Sequence, residues 1–128
     1  MNAEIMEWKR LADMDLVTAK HMFETYRPIP VEIVCFHSQQ AAEKMLKCFL
    51  VFHEIEPPKT HDLKSLIKMC IEIESEYDTI NKEAALLSEY AVLPRYPAEF
   101  DLDETDGERA IKSADKIVNY VNELIGSS

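Results

Sequence analysis

The sequence predicts an all-α protein, an antiparallel up-and-down bundle of four main helices and one shorter helix. Apolar residues recur at helical spacing in five segments, and only two glycines occur among the 128 residues. Few glycines leave few places for the tight turns of β-hairpins, and long helices joined by short loops pack as antiparallel neighbours. We expect a single domain over residues 1–128, because a chain of this length builds one core.

The first two helices are predicted from apolar stripes that end at prolines. The first runs from about Ala3 to Tyr26 and stops at the stretch RPIP. The second runs from about Val31 to His53 and stops at EPP. Both are long enough to cross a domain of this size.

Three further helices follow. The third covers about Asp62–Glu74, and the fourth covers about Thr79–Leu93 and stops at Pro94. The last begins at the stretch TDGE, where Thr105 and Glu108 have the spacing of a capping box, and continues to the glycine of IGSS.

Charge and cysteine content limit the class of protein. The formal net charge of -10 repels the phosphates of nucleic acids, so contact with RNA would need a local basic patch. The N-terminal stretch MNAEIMEWKR has acids where a signal peptide has bases, and no apolar run is long enough for a membrane span. Cys35, Cys48 and Cys70 lie among apolar residues, as buried thiols do in a reducing compartment. We therefore expect a cytoplasmic protein that makes no membrane contact.

We expect no metal site and no resident cofactor. None of the four histidines follows a glutamate by three positions, and none is followed by a second histidine four positions later. The chain has no glycine before Gly107, whereas loops that hold phosphates need several. No GxSxG motif marks a serine nucleophile.

A polar ribbon lies beside the apolar stripe of the second helix. It consists of His37, Gln40 and Lys44, at positions i, i+3 and i+7 of the stretch FHSQQAAEKMLKCFL. Such a ribbon is typical of a solvated helix face, and it is also what the lining of a polar groove would need. Both interpretations remain open.

Basic residues gather around the start of the third helix. A helix N-terminus with added lysines is a suitable seat for a phosphate group, although Thr60 or Asp62 would also be ordinary caps there. Lys44 and Lys47 lie on the preceding helix. The basic residues in the stretch PPKTHDLKSLIK are Lys59, His61, Lys64 and Lys68.

Four stretches in order give the chain a family resemblance. They are ADMDLVTAK, FHSQQAAEKMLKCFL, PPKTHDLKSLI and YAVLPRYP, and together they span nearly the whole chain. The sequence resembles the HEPN domains, above all the small stand-alone proteins encoded beside minimal nucleotidyltransferases, and also the C-terminal nucleotide-binding domain of the chaperone sacsin. The resemblance implies a bundle of four or five helices that commonly forms a homodimer.

Many HEPN proteins cleave RNA without a metal, using an arginine followed after four to six residues by a histidine. In that pair the arginine would stabilise phosphate charge and the histidine would move the proton of the 2'-hydroxyl. The present sequence departs from the pattern, because Phe100, Asp101 and Leu102 stand where the histidine should follow Arg95. The resemblance therefore implies fold and dimerisation more than catalysis.

The stretch LPRYPAEFDLDETDGE holds the arginine that the resemblance singles out. Pro94 and Pro97 enclose Arg95 and Tyr96, which could grip a phosphate and stack on a base from a stiff turn. Alternatively, Arg95 forms a structural ion pair with the acidic segment that follows or with Asp15, which interrupts the apolar stripe of the first helix. For Asp15 itself we expect a hydrogen bond across the bundle.

Three functions fit these observations. The first is a binding module that contacts ATP or GTP through residues of the stretches above and pairs with a minimal nucleotidyltransferase protein in a toxin-antitoxin or stress system. The second is a divergent, metal-independent RNA-cleaving toxin that uses Arg95, with His37 or His61 as the proton acceptor. The third is a purely structural dimerisation protein. The candidate ligand-binding residues are Arg95, Tyr96, His61, Lys44, His37 and Lys59.

Overall fold

A computed structural model describes residues 2–91 and 101–126 of the chain, and in these residues all regular structure is helical. The predicted helical bundle is confirmed. Two short 3-10 turns, Ser75–Ile80 and Ser88–Tyr90, flank the fourth helix. The α-helices are α1 (Ala3–Thr25), α2 (Val31–Phe52), α3 (Leu63–Ile73), α4 (Asn81–Leu87) and α5 (Glu104–Gly126).

The three long helices α1, α2 and α5 pack together, and α3 and α4 close the core against α2 and α5. The Cys48 thiol, near the end of α2, lies 3.6 Å from the carbonyl of Ile5, near the start of α1. Towards the end of α1, Lys20 Nζ lies 2.9 Å from Asp115 Oδ1 of α5, and Phe23 of α1 lies beside Gly107, near the start of α5. The direction of these contacts shows that α1 runs antiparallel to both of its long neighbours.

The helix α2 forms the centre of the bundle. Fifteen of its 22 residues are buried, and four of the fifteen are polar: Ser38, Gln39, Glu43 and Lys47. A helix in contact with neighbours on nearly every side has little solvated face, so its polar residues must find partners inside the protein. This burial determines where the candidate site forms.

The fourth helix is shorter than the predicted segment Thr79–Leu93, whose last two residues lie outside the described part of the chain. The backbone is extended at Glu74 (φ -137°, ψ 103°), and a 3-10 turn then delivers Tyr77 into the core. The ring of Tyr77 packs on Phe49 and Tyr120, with ring centroids 4.3 and 5.1 Å apart. The break in helical structure after α3 therefore coincides with the full burial of this aromatic ring.

The predicted capping box at Thr105 and Glu108 is wrong, because α5 begins one residue before Thr105. The box is formed by Asp103 and Asp106, which have the same spacing. The amide of Asp106 donates to Asp103 Oδ1 at 3.1 Å, and the amide of Asp103 donates to Asp106 Oδ2 at 2.9 Å. Two carboxylates also interact favourably with the positive end of the helix dipole.

All three cysteines are fully buried, as the sequence predicts. Burial disfavours the thiolate and raises the pKa of Cys35 and Cys70 to about 12 and that of Cys48 to about 11. The thiols therefore act as small apolar side chains of the core. In residues 2–91 and 101–126, no helix has the length and apolar character needed to cross a membrane.

The N-terminal cap of α5 gives a direct test of this fold. The substitution Asp103→Ala removes the side-chain acceptor for the Asp106 amide and is expected to lower the free energy of unfolding by about 1 kcal/mol. The matched substitution Thr105→Ala, within the exposed first turn, is expected to change it by less than about 0.5 kcal/mol. Urea denaturation of both variants measures the difference, and a larger loss for Thr105→Ala would contradict the observed cap.

Candidate functional site

The first polar cluster joins α1 to α2 through one carboxylate, and we call it the Asp15 cluster. Asp15 Oδ1 lies 2.8 Å from Nδ1 of His37, and Asp15 Oδ2 accepts a hydrogen bond from Nζ of Lys44. The seven-residue spacing of His37 and Lys44 places both on the face of α2 that meets α1. The expected hydrogen bond of Asp15 across the bundle is present, and both of its partners come from the predicted polar ribbon.

The Asp15 cluster is open to solvent on one side. The side chain of Asp15 is 12% exposed, whereas those of His37 and Lys44 are 28% and 23% exposed. The carboxylate thus lies inside, and the two nitrogen-bearing groups lie at the surface. Since Nδ1 of His37 faces a carboxylate, it carries the proton, and Nε2 has no hydrogen-bond partner among residues 2–91 and 101–126.

The second polar cluster is built on Glu43, and we call it the Glu43 cluster. The Glu43 carboxylate lies 3.2 Å from Nζ of Lys47 and 3.0 Å from Nδ1 of His61. Gln39 donates to Glu43 Oε1 at 3.2 Å and to the backbone carbonyl of His61 at 3.1 Å. These contacts tie the loop before α3 to the middle of α2.

Burial distinguishes the two clusters. The side chains of Glu43 and Lys47 are only 5% and 10% exposed, whereas His61 is 67% exposed at the mouth of the Glu43 cluster. Gln40, the remaining member of the ribbon, donates to Gln39 Oε1 at 2.7 Å. The Glu43 cluster is therefore an internal ion pair with one surface imidazole, and it holds the loop before α3 against α2.

The N-terminus of α3 is occupied by a side chain of the protein. Asp62 Oδ1 accepts from the amide of Lys64 at 3.1 Å, and Asp62 Oδ2 accepts from Ser65 Oγ at 2.8 Å. Asp62 is thus the cap, one of the two alternatives that the sequence leaves open. Lys59 is exposed in the preceding loop, and Lys64 and Lys68 are exposed on α3.

The candidate ligand-binding residues are therefore found in different places. His37 and Lys44 share the Asp15 carboxylate, His61 belongs to the Glu43 cluster, and Lys59 is a separate surface residue. Arg95 and Tyr96 lie outside the described residues. Within the described part of the chain, no group of three or more histidine, cysteine, aspartate or glutamate side chains is placed to hold a metal ion.

Glu43 and Gln39 are the polar residues of this region that sequence reasoning missed. A glutamate four residues before a lysine is the usual pattern of an exposed helix face. The available signal was the position of Glu43 inside the run AAEKMLKCFL, where α2 carries apolar residues on nearly every side. A helix that is apolar almost all round is buried, and so are the polar residues within it.

Comparison with known proteins identifies relatives of the whole chain. A model of the HEPN domain matches residues 5–124. The crystal structure of ST0689, an archaeal HEPN homologue, is 27% identical over 94% of this chain and 97% of that chain, with a TM-score of 0.75. The crystal structure of TT1696 from Thermus thermophilus shares the fold, with 24% identity over 96% of this chain and 98% of that chain and a TM-score of 0.80. A search of the curated proteins found no match.

The buried ion pair of Glu43 and Lys47 should matter far more for stability than an exposed pair of the same spacing. Glu43→Gln leaves the Lys47 ammonium buried without its counter-charge and is expected to lower the free energy of unfolding by about 3 kcal/mol. Glu108→Gln breaks the exposed pair of Glu108 with Lys112 and is expected to cost less than about 0.5 kcal/mol. Chemical denaturation measures both values.

A third variant separates loss of charge balance from loss of packing. Adding Lys47→Met to Glu43→Gln removes the stranded ammonium and is expected to recover most of the lost stability. Equal losses for Glu43→Gln and Glu108→Gln would show that the Glu43 cluster is solvated and would contradict the structure.

Proposed function

The chain belongs to the HEPN domain family, and on this premise we propose that it is a binding module, a homodimer that binds the phosphate groups of a nucleotide and pairs with a minimal nucleotidyltransferase protein. The nucleotide is ATP or GTP, and the setting is a toxin-antitoxin or stress system in the cytoplasm. The observation that carries the proposal is the Asp15 cluster, which holds a partly exposed imidazole and a partly exposed ammonium group on the same carboxylate.

The geometry of the Asp15 cluster suits a phosphate group. An ammonium group has three donors, and Asp15 uses one donor of Lys44, so the others can face a ligand. His37 donates a hydrogen bond from Nδ1 to Asp15, so its Nε2 can contact the same ligand. Because Asp15 fixes both side chains before binding, little conformational entropy is lost when a phosphate group arrives.

Other candidate residues would extend this site. Arg95 and Tyr96 are candidate contacts by their chemistry, because a guanidinium forms a bidentate pair with phosphate and an aromatic ring stacks on a base. His61, in the Glu43 cluster, and Lys59, on the surface of the loop before α3, are further candidate contacts in this proposal. The support for these four residues is their chemistry and the order of the sequence stretches that resemble the family.

One observation favours a second function, metal-independent RNA cleavage. An imidazole whose Nδ1 is held by a carboxylate and whose Nε2 is open has the arrangement of a general base, and His37 has this arrangement with Asp15. The absence of a histidine after Arg95 and the net charge of -10 weigh against this function. Binding without cleavage is therefore the preferred function.

Calorimetric titration with ATP and with GTP tests the proposal. We expect saturable binding by the unchanged protein and a dissociation constant about tenfold higher for Lys44→Gln, because a charge-assisted hydrogen bond to phosphate is lost. Lys82→Gln makes the same change of charge on an exposed face of α4 and is expected to leave the affinity unchanged. Arg95→Ala is expected to weaken binding if Arg95 contacts the ligand.

Three outcomes are informative. Binding that is equally weakened by Lys44→Gln and Lys82→Gln would reflect net charge alone and would contradict a site at the Asp15 cluster. No binding of either nucleotide would leave partner capture to be tested by co-purification with a nucleotidyltransferase. Cleavage of RNA in the presence of a chelator, abolished by His37→Gln, would favour the second function.

A further inference from the structure

Gln40 is the member of the polar ribbon that lies outside the Asp15 cluster. It stands three residues after His37 and four residues before Lys44, so the three side chains are neighbours on one side of α2. Gln40 is partly exposed, and its amide nitrogen donates to Gln39 Oε1 at 2.7 Å. The orientation of this amide decides whether the ribbon offers a ligand a donor or an acceptor at this position.

The orientation of the Gln40 amide follows from hydrogen bonds that start at Glu43. The nitrogen of Gln39 donates to Glu43 Oε1 at 3.2 Å and to the backbone carbonyl of His61 at 3.1 Å. A carboxylate and a carbonyl only accept hydrogen bonds, so the fully buried Gln39 amide cannot be reversed. Its oxygen is therefore the atom that faces Gln40, and Gln40 must donate to it.

The carbonyl oxygen is consequently the end of the Gln40 amide that can contact a ligand. Among residues 2–91 and 101–126, none donates a hydrogen bond to Gln40 Oε1. A neutral His37 with its proton on Nδ1 also offers an acceptor, at Nε2. The ribbon thus presents two acceptors beside one donor, the ammonium group of Lys44. A bare phosphate group offers acceptor oxygens and satisfies only the donor.

We infer that Gln40 Oε1 accepts a hydrogen bond from a sugar hydroxyl of the nucleotide whose phosphate contacts Lys44. The site then binds a phosphate together with the sugar that carries it, and Gln40 determines specificity for that sugar. Gln39 is a positioning residue, because it acts on the ligand only through the orientation of Gln40. The inference rests on the proposed function and names the part of the ligand that the site recognises.

The spacing along α2 selects the sugar over the base. Side chains three or four residues apart on a helix have Cβ atoms about 5–6 Å apart. The hydroxyl or amino group that reaches Gln40 therefore lies close to the phosphate that reaches Lys44. In a nucleotide the sugar is bonded to the nearest phosphate, whereas the base lies on the far side of the sugar. A sugar hydroxyl meets this requirement.

Calorimetric titration with ATP, 2'-deoxy-ATP, 3'-deoxy-ATP and inorganic triphosphate tests the role of Gln40. The analogue that lacks the contacted hydroxyl is expected to bind about tenfold more weakly than ATP, because Gln40 Oε1 loses its donor. Gln40→Met keeps the length of the side chain and removes its polar atoms. This variant is expected to bind ATP and that analogue equally, with unchanged affinity for inorganic triphosphate.

Two further variants separate recognition of the sugar from folding. Gln39→Met removes the acceptor that orients Gln40, and it is expected to reduce the ratio of the affinities for ATP and for the analogue. A loss of stability alone would leave this ratio unchanged, and circular dichroism reports whether each variant keeps its helices. Asn119→Met makes a comparable change on the exposed face of α5 and is expected to leave the ratio unchanged.

Two results would overturn the inference and leave the phosphate site intact. One is equal affinity of the unchanged protein for ATP and for both deoxy analogues. The other is discrimination that persists in a folded Gln40→Met variant. Failure of the unchanged protein to bind any of the four ligands would instead overturn the proposed nucleotide site, and the inference with it.

Discussion

The carboxylate of Asp15 leaves α1 in the middle of an apolar stripe and meets His37 and Lys44 of α2. An aspartate in this position would oppose folding if it had no partner, because burying a charge without compensation is costly. Its two hydrogen bonds satisfy it only in one register of α1 against α2. These two hydrogen bonds fix the position of α1 against α2. They also fix the orientation of the His37 and Lys44 side chains, which are partly exposed to solvent.

The Glu43 cluster applies the same principle on a neighbouring face of α2. Its carboxylate is satisfied by Lys47 from its own helix and by His61 from the loop before α3. The loop is therefore held to the centre of the bundle by polar contacts, not by apolar packing alone. Buried ion pairs of this kind add little net stability, but losing one partner destabilises the protein strongly.

Helical periodicity was sufficient to predict the bundle, because three long apolar stripes and a few prolines leave little freedom in the arrangement. Periodicity was insufficient to locate the start of α5, because Thr105 and Asp103 each stand three residues before an acidic residue. Only the hydrogen bonds between Asp103 and Asp106 in the folded protein show that Asp103 is the cap. Glu43 was missed for a related reason. Its spacing from Lys47 is that of a solvated pair, and its burial depends on neighbours that a one-dimensional pattern does not contain.

Asp15 holds Nδ1 of His37, and we propose that this contact keeps Nδ1 protonated and leaves Nε2 open to a ligand. Long-range proton-nitrogen correlation spectra at mildly alkaline pH report which ring nitrogen carries the proton. We expect the Nδ1-protonated tautomer for His37, and we expect the Asp15→Asn variant to lose it when the amide turns its NH₂ group to the ring. A wild-type His37 found with the proton on Nε2 would contradict the hydrogen bond on which the site is built.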